Sequence, residues 1–259
     1  MAFFTLACAF HSTSRLLERI LPQAIRALTV PTRHDFEVVL VADRSRADVV
    51  AALLPRLDEL GVDELRFRRT RRHSFSGAPS NNFHANHFIT TNPYLITFTD
   101  DTFVAKTDPE FDVLDAIASL FEHHPELVLV SKVDDHDEWD RPLVDVGPEL
   151  EPGIRSVNRA VDQLIAYDTA RFLPIARRFG AFHRDTFVSQ PGFEYQWENM
   201  VSHAGTTGGR KIAYPERWPL RVRHADLRIE HGSMHGTGNE DVKLQCFARL
   251  LETQGLEKR

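Results

Sequence analysis

Acidic side chains follow two apolar stretches of this chain. The stretch FEVVLVA ends on Asp43, and YLITFT ends on the adjacent pair Asp100 and Asp101. Short runs rich in β-branched and aromatic residues are typical of strands buried on both faces. If the sheet is parallel, the carboxyl ends of these strands share one edge, which is where open α/β sheets bind ligands. Mg²⁺ often combines one or two carboxylates with substrate phosphates. The pattern therefore indicates a metal–diphosphate site.

The aspartate pair also has an ordinary structural interpretation. Side chains alternate along a strand, so Asp100 and Asp101 point in opposite directions and at least one must leave the core. Aspartate also starts turns and caps helices. Both interpretations stay open on this stretch alone.

Strands and helices alternate up to the aspartate pair. Strands are predicted at 3–10, 36–42, 65–68 and 94–99, and helices at 17–28, 45–57 and 82–91. Pro22 is expected to kink or shorten the first helix because it lacks an N–H group and clashes with the preceding turn. This alternation predicts a parallel sheet with helical crossovers.

The second half of the chain is less regular. Helices are predicted at 113–121, 160–173, 194–204 and 241–251, short strands at 127–130, 212–214 and 220–222, and loops or an irregular insertion at 131–160. No flexible linker separates two domains. We predict one α/β domain with a nucleotide-binding half (1–104), an irregular acceptor-side half (105–230), and a flexible loop with a final helix (231–259).

Composition narrows the class of protein. A net charge of −6 argues against a general nucleic-acid binder. No apolar run approaches the roughly 20 residues of a membrane span. The opening MAFFTLACAF lacks the basic start of a signal peptide, so a first strand is the better interpretation. Cys8 and Cys246 lie in apolar contexts that favour buried thiols, and we expect a reduced, cytoplasmic protein.

The order of motifs resembles the GT-A glycosyltransferases, specifically the family-2 type that inverts the anomeric centre. The resemblance rests on FFTLACAFHSTSRLLERILPQAIRAL, FEVVLVADRS, SNNFHANHFITTNPYLITFTDDTFV, FGAFHRDTF, GFEYQWENM and GGRKIAYPERWPLRVRH, and it spans roughly residues 3–224. It implies a Rossmann-like GT-A fold with a mostly parallel sheet. It also implies a nucleotide-diphosphate sugar donor (a UDP-sugar is favoured), a divalent Mg²⁺ or Mn²⁺ ion, and a small-molecule or glycan acceptor. Oligomerisation stays open.

The resemblance also implies roles for individual residues. Asp43 would lie beside the nucleotide base or ribose, and Asp100 would assist through ribose or water. Asp101 would ligate the metal, with His224 near the metal or diphosphate. Glu198 would be the general base.

Two further residues are expected to contact the donor. Asn86 lies on the helix that bears asparagines in the family, and Arg72 lies in the basic stretch RFRRTRRH. Arginine binds phosphate through paired donors, although a solvated basic loop also explains that stretch.

This chain departs from the family pattern at two places. Thr99-Asp100-Asp101 lacks the first acid of the usual triplet, and Trp197-Glu198-Asn199 replaces the usual Glu-Asp pair, so Glu194 competes with Glu198 for the role of base.

Some features and rival functions stay open. The loop with His231 and His235 is expected to fold over the donor diphosphate or to be an ordinary surface loop, and the acid run 134–140 is expected to be solvated. A sugar-phosphate nucleotidyltransferase is one rival, but FHSTSRLL lacks the Gly-rich, basic loop of that class. A catalytically inactive nucleotide-sugar-binding homologue is the other.

Overall fold

The computed structural model describes residues 3–10, 14–43, 47–68, 90–100, 102–132, 134, 146–157, 164–179, 211–224 and 240–253. Up to residue 106, the elements are β1 (Phe4–Phe10), α1 (Ser14–Thr29), β2 (Phe36–Asp43), α2 (Ala47–Leu53) with a 3₁₀ turn (Leu54–Arg56), β3 (Glu64–Arg68), β4 (Tyr94–Thr99) and β5 (Thr102–Lys106). After them come α3 (Val113–His123), β6 (Leu127–Lys132), β7 (Val146–Glu151), β8 (Ile154–Val157), β9 (Leu164–Asp168), α4 (Thr169–Phe179), β10 (Lys211–Pro215), β11 (Leu220–His224) and α5 (Glu240–Thr253).

Nine of the described strands form one mixed sheet in the order β3-β2-β1-β4-β9-β6-β10-β8-β7. The first four are mutually parallel, as the alternation of strands and helices predicts. β9 runs antiparallel to both of its neighbours, β4 and β6. The strands β5 and β11 form a separate two-stranded antiparallel sheet.

The large sheet has apolar side chains on both faces because its central strands are mostly apolar. In β1, every side chain from Phe4 to Cys8 is buried, which confirms the buried-thiol prediction for Cys8; the side chain of Cys246 lies outside the described residues. One face packs against α1, α3 and the small sheet, and the other face includes Phe172 of α4. Within the described ranges, no helix is long and apolar enough to cross a membrane.

Helix α1 continues through Pro22 instead of ending there, so the expected shortening is wrong. Proline inside a helix costs about 3 kcal/mol or more. The buried apolar stripe of the helix offsets that cost; it consists of Leu17, Ile20, Leu21, Ala24, Ala27 and Leu28.

The second half differs from the prediction in three elements. Residues 160–173 were expected to be one helix, but they contain β9 and only the start of α4. The irregular stretch 131–160 contains the β7–β8 hairpin, and β5 follows the aspartate pair directly. The helix prediction for 160–173 is wrong because Leu164 to Asp168 is buried at every position. A short run that is buried on all sides shows neither the helical period of about 3.6 residues nor the strand period of 2, so its pattern cannot tell a strand from a helix.

Buried polar contacts tie helix ends to the sheet at the edge away from the aspartate pair. Arg171 donates from Nη1 to the carbonyl oxygens of Phe121, His124 and Leu127 at 3.0, 3.2 and 3.1 Å, at and just beyond the end of α3. Its backbone N–H donates to Asp168 Oδ1 at 2.9 Å, and its Nε lies 3.2 Å from Oδ2. A cation at a helix carboxyl end is favoured by the helix dipole.

Candidate functional site

The strands β2, β1 and β4 end at the same edge of the sheet. Phe10 of β1 pairs with Ala42, and Ala9 pairs with Thr99. Asp43 and Asp100 therefore lie on either side of β1, at levels of the sheet that differ by one residue. Neighbouring strands lie about 4.8 Å apart, which puts the backbones of β2 and β4 roughly 10 Å apart at this edge. The sheet thus brings the two acidic strand ends together, as the sequence predicts for a parallel sheet.

Asp100 occupies the turn between β4 and β5 and is fully buried. The turn agrees with the ordinary structural interpretation of the aspartate pair, but the burial does not, because aspartate is almost never fully buried unless it is paired. The next described residues, Thr102 and Phe103, are also buried. The described residues on both sides of position 101 are therefore buried.

The small sheet brings a distant segment to the same turn. His224, at the end of β11, pairs with Thr102 at the start of β5, and Val222 pairs with Val104. Directly paired residues in antiparallel strands have Cα atoms about 4.5–5.5 Å apart. The backbone of residue 224 is therefore close to the turn at Asp100.

A buried cluster of charged groups lies at the end of β6, at this same edge. Lys132 and Phe98 both pair with Leu164 from opposite sides of β9, so β6 ends at a level close to the end of β4. Lys132 is only 2% exposed, and its Nζ donates to Asp134 Oδ1 at 2.7 Å. Burial lowers the pKa of Lys132, and the charge of Asp134 opposes that shift.

Asp134 also contacts β11. Arg221 Nη1 donates to its Oδ1 at 3.2 Å, and the N–H of Val222 donates to its Oδ2 at 2.7 Å. The N–H of Asp134 donates to the carbonyl oxygen of Val222, also at 2.7 Å. The first acid of the run 134–140 is thus a largely buried, ion-paired residue, and the solvated-loop expectation is wrong for it.

Several predicted site residues lie outside the described residues: Asp101, Glu198, its competitor Glu194, Asn86, Arg72, His231 and His235. The same holds for the predicted helices 82–91 and 194–204, apart from Thr90 and Thr91, and for the side chains of Asp43 and His224. Within the part of the chain that the structure describes, no group of three or more His, Cys, Asp or Glu residues could hold a metal ion.

Sequence reasoning missed Lys132 and Arg221 as neighbours of this site. The available signal was the pattern LVLVSKVD, in which an apolar strand ends on a lysine with an aspartate two residues on. The partnership with β11 has no local signal, because it depends on a segment that is distant in sequence.

Comparisons with known proteins bear on the fold. No family model matches the chain, and no curated protein matches it. Among solved structures, apo UDP-glucose pyrophosphorylase is 11% identical with a TM-score of 0.55, over 96% of this chain and 99% of that one. S. aureus TarS 1-349 is 14% identical with a TM-score of 0.56, over 99% of this chain and 73% of that one. The mannosyltransferase PcManGT from Pyrobaculum calidifontis, in complex with GDP-Man and Mn²⁺, is 12% identical with a TM-score of 0.55, over 99% of this chain and 76% of that one.

These likenesses and the observed sheet confirm the predicted fold class. The chain has a Rossmann-like α/β fold of the GT-A type, built as a single sheet-centred unit in its described residues. Function does not follow from fold alone, and it has to be argued from the site.

Proposed function

We propose that this protein is an inverting glycosyltransferase that moves a sugar from a nucleotide-diphosphate donor, with UDP-sugars favoured, to an acceptor hydroxyl. The observation that carries the proposal is the pairing of His224 with Thr102, which brings the end of β11 beside the buried Asp100 turn. The acidic end of β2 lies at the same edge. The fold is shared with proteins whose structures were solved with GDP-Man or named for UDP-glucose.

The residue types at this edge fit a divalent cation. Carboxylates suit Mg²⁺ and Mn²⁺, and imidazole is an accepted ligand for several divalent metals. In the proposal, Asp101 and His224 hold Mg²⁺ or Mn²⁺, Asp43 lies beside the nucleotide base or ribose, and Asp100 assists through ribose or water. A metal ion bound there would stabilise the negative charge that develops on the leaving diphosphate.

The remaining chemistry belongs to side chains of the chain. Glu198 accepts the proton of the acceptor hydroxyl as its oxygen attacks the anomeric carbon, and the bond from that carbon to the diphosphate oxygen breaks. The nucleoside diphosphate leaves with the electron pair of that bond. Proton transfer to a positioned base contributes roughly 10²–10⁴-fold in rate. Asn86 and Arg72 are proposed donor contacts, the latter through paired bonds from its guanidinium to phosphate.

A sugar-phosphate nucleotidyltransferase is the second candidate. It is favoured by the shared fold, because the likeness to UDP-glucose pyrophosphorylase has a TM-score of 0.55 over 96% of this chain. The segment FHSTSRLL after β1 opposes it, since it lacks the glycines and lysine that a triphosphate-binding loop needs.

A thermal-shift experiment tests the proposal. The protein is heated with UDP, GDP or UTP, each with Mn²⁺ or with EDTA. A ligand present at 100 times its Kd stabilises the native state by about 2.7 kcal/mol, which corresponds to a rise in Tm of roughly 5–10 °C for a chain of this size. We expect that rise with UDP and Mn²⁺, and a much smaller one with EDTA.

Two variants and one nucleotide comparison sharpen the result. Asp101→Asn should remove the Mn²⁺-dependent part of the shift, whereas Asp108→Asn, a matched change at an exposed aspartate, should leave it unchanged. A larger shift with UTP than with UDP would favour the nucleotidyltransferase. No shift with any nucleotide would contradict both candidates.

A further inference from the structure

Asp134 links the large sheet to the small sheet beside the proposed site. Its N–H donates to the carbonyl oxygen of Val222, and its carboxylate Oδ2 accepts from the N–H of Val222; both distances are 2.7 Å. This paired bonding resembles one rung of a β-ladder, except that one of the two acceptors is a side chain. Residue 134 therefore fixes β11 relative to the end of β6.

The other carboxylate oxygen of Asp134 is held by two cations. Lys132 Nζ lies 2.7 Å from Oδ1, and Arg221 Nη1 lies 3.2 Å from it. Asp134 has only 12% of its side chain exposed, so these bonds are largely shielded from water. Charge-assisted bonds are roughly twice as strong as neutral ones, and they hold the carboxylate in one orientation toward Val222.

The strand that Asp134 holds is the one that ends at His224. Val222 lies two residues before that end, and the end pairs with Thr102, which lies two residues after the buried turn residue Asp100. We propose that Asp134 is a positioning residue that keeps the end of β11 against this turn, so that the metal donors stay within reach of one cation. The inference rests on the proposed metal-assisted function and adds a residue that acts through β11.

A link that served stability alone would behave differently from a positioning residue. Its loss would lower the melting temperature but leave the affinity for metal unchanged in the folded protein. The affinity of the folded protein for Mn²⁺ is therefore the deciding measurement. Residues that orient metal ligands typically change metal affinity 10–100-fold when they are replaced.

The variants have to avoid leaving a charge unpaired in the interior. Asp134→Ala alone would leave the buried Lys132 cation without its carboxylate, which is strongly destabilising. The comparison is therefore between Lys132→Met, which keeps Asp134 and its bonds to Val222, and the double variant Lys132→Met/Asp134→Ala, which removes the carboxylate. The two proteins differ only at residue 134.

Mn²⁺ binding is titrated by electron paramagnetic resonance in the presence of UDP, which reports free Mn²⁺ and requires no turnover. We expect the double variant to bind Mn²⁺ about tenfold more weakly than Lys132→Met does, because in Lys132→Met the carboxylate is still held by Arg221 and by Val222. In the metal-free protein, the amide hydrogen of Val222 should exchange faster in the double variant. All titrations are run at a temperature at which circular dichroism shows each protein to be folded.

The control carries an equivalent change at the opposite edge of the sheet. Asp168 is a buried aspartate that bonds to the N–H and guanidinium of Arg171, so Lys132→Met/Asp168→Ala should lose stability and retain its affinity for Mn²⁺. Equal affinity in Lys132→Met and Lys132→Met/Asp134→Ala would overturn the positioning role, as would an equal loss in the Asp168 control. Failure of the wild type itself to bind Mn²⁺ with UDP would instead overturn the proposed function, and this inference with it.

Discussion

At the scale of single residues, the informative feature is a carboxylate that is buried where a strand ends. Asp100 has no exposed surface, although it lies in a turn. Lys132, at the end of β6 on the far side of β9, is nearly as buried and is paired with Asp134. Burying charged groups is costly, so folds retain them mainly where position matters or where each charge is compensated. Both conditions suit the edge that binds ligands in open α/β sheets.

The proposed base gives the sharpest prediction at this scale. Glu198→Gln should lower turnover by about 10²–10⁴-fold, because glutamine cannot accept the acceptor's proton. The Kd for the donor should stay unchanged, since the base acts only in the transition state. Initial rates and isothermal titration with the donor measure the two quantities.

Glu194→Gln is the matched control, because it makes the same change at the other acidic candidate in the segment. Near-normal turnover in Glu198→Gln together with a large loss in Glu194→Gln would transfer the role of base to Glu194.

At the scale of elements, β9 and the β7–β8 hairpin decide the shape of the second half. β9 lies between β4 and β6, which are parallel to each other, and runs antiparallel to both. It pairs with β4 at Phe98↔Leu164, for example, and with β6 at Leu129↔Tyr167. The hairpin turns at Pro152-Gly153, where Gly153 has a φ of +81°. Proline followed by glycine is typical of a type II turn. This dipeptide therefore indicates the turn of the hairpin from local sequence, although the hydrophobic periodicity of the stretch does not.

Two glycine substitutions test how tightly the hairpin is packed. A Cβ at Gly153 would lie 2.8 Å from Arg217 Cβ, whereas a Cβ at Gly61, with a φ of +70°, would meet nothing within 4 Å. Gly61→Ala should therefore cost about 1–2 kcal/mol of unfolding free energy from backbone conformation alone. Gly153→Ala should cost about 1–3 kcal/mol more from overpacking.

Urea denaturation of both variants measures this difference. If both variants lost the same unfolding free energy, the hairpin and Arg217 would have to shift at little cost to make room for the new Cβ at Gly153, and the overpacking prediction would be wrong.

At the scale of the whole molecule, the two functional halves predicted from the sequence share one core. β4 belongs to the first half, but one of the two strands that pair with it, β9, comes from the second half. The larger apolar cluster includes Phe4 and Leu40 from the first half together with Phe121, Ala213 and Val222 from the second. The two predicted halves are therefore not separate folding units in the described residues.

A fragment of residues 1–104 should consequently fail to fold by itself. It would expose one edge of β4 and the apolar face that α3 and the small sheet cover in the full chain. Urea titration followed by circular dichroism should show no cooperative transition for the fragment and a cooperative one for the full chain. A sharp transition in the fragment, with a native-like spectrum, would show that this half is an independent domain.

The sequence by itself determined that the first four strands of the large sheet are parallel and that two of them end in acidic residues, whereas their order, β3-β2-β1-β4, came from the structure. Those features depend on local patterns: apolar runs of strand length, one amphipathic helix face, and aspartates where Phe36–Asp43 and Tyr94–Thr99 end. Only the tertiary structure decided that β9 enters the sheet, that His224 lies opposite Thr102, and that Asp134 joins Lys132 to β11. Each of these depends on contacts between residues far apart in the chain, and the free energy that selects such contacts comes from burial and pairing in the assembled core, which no local pattern records.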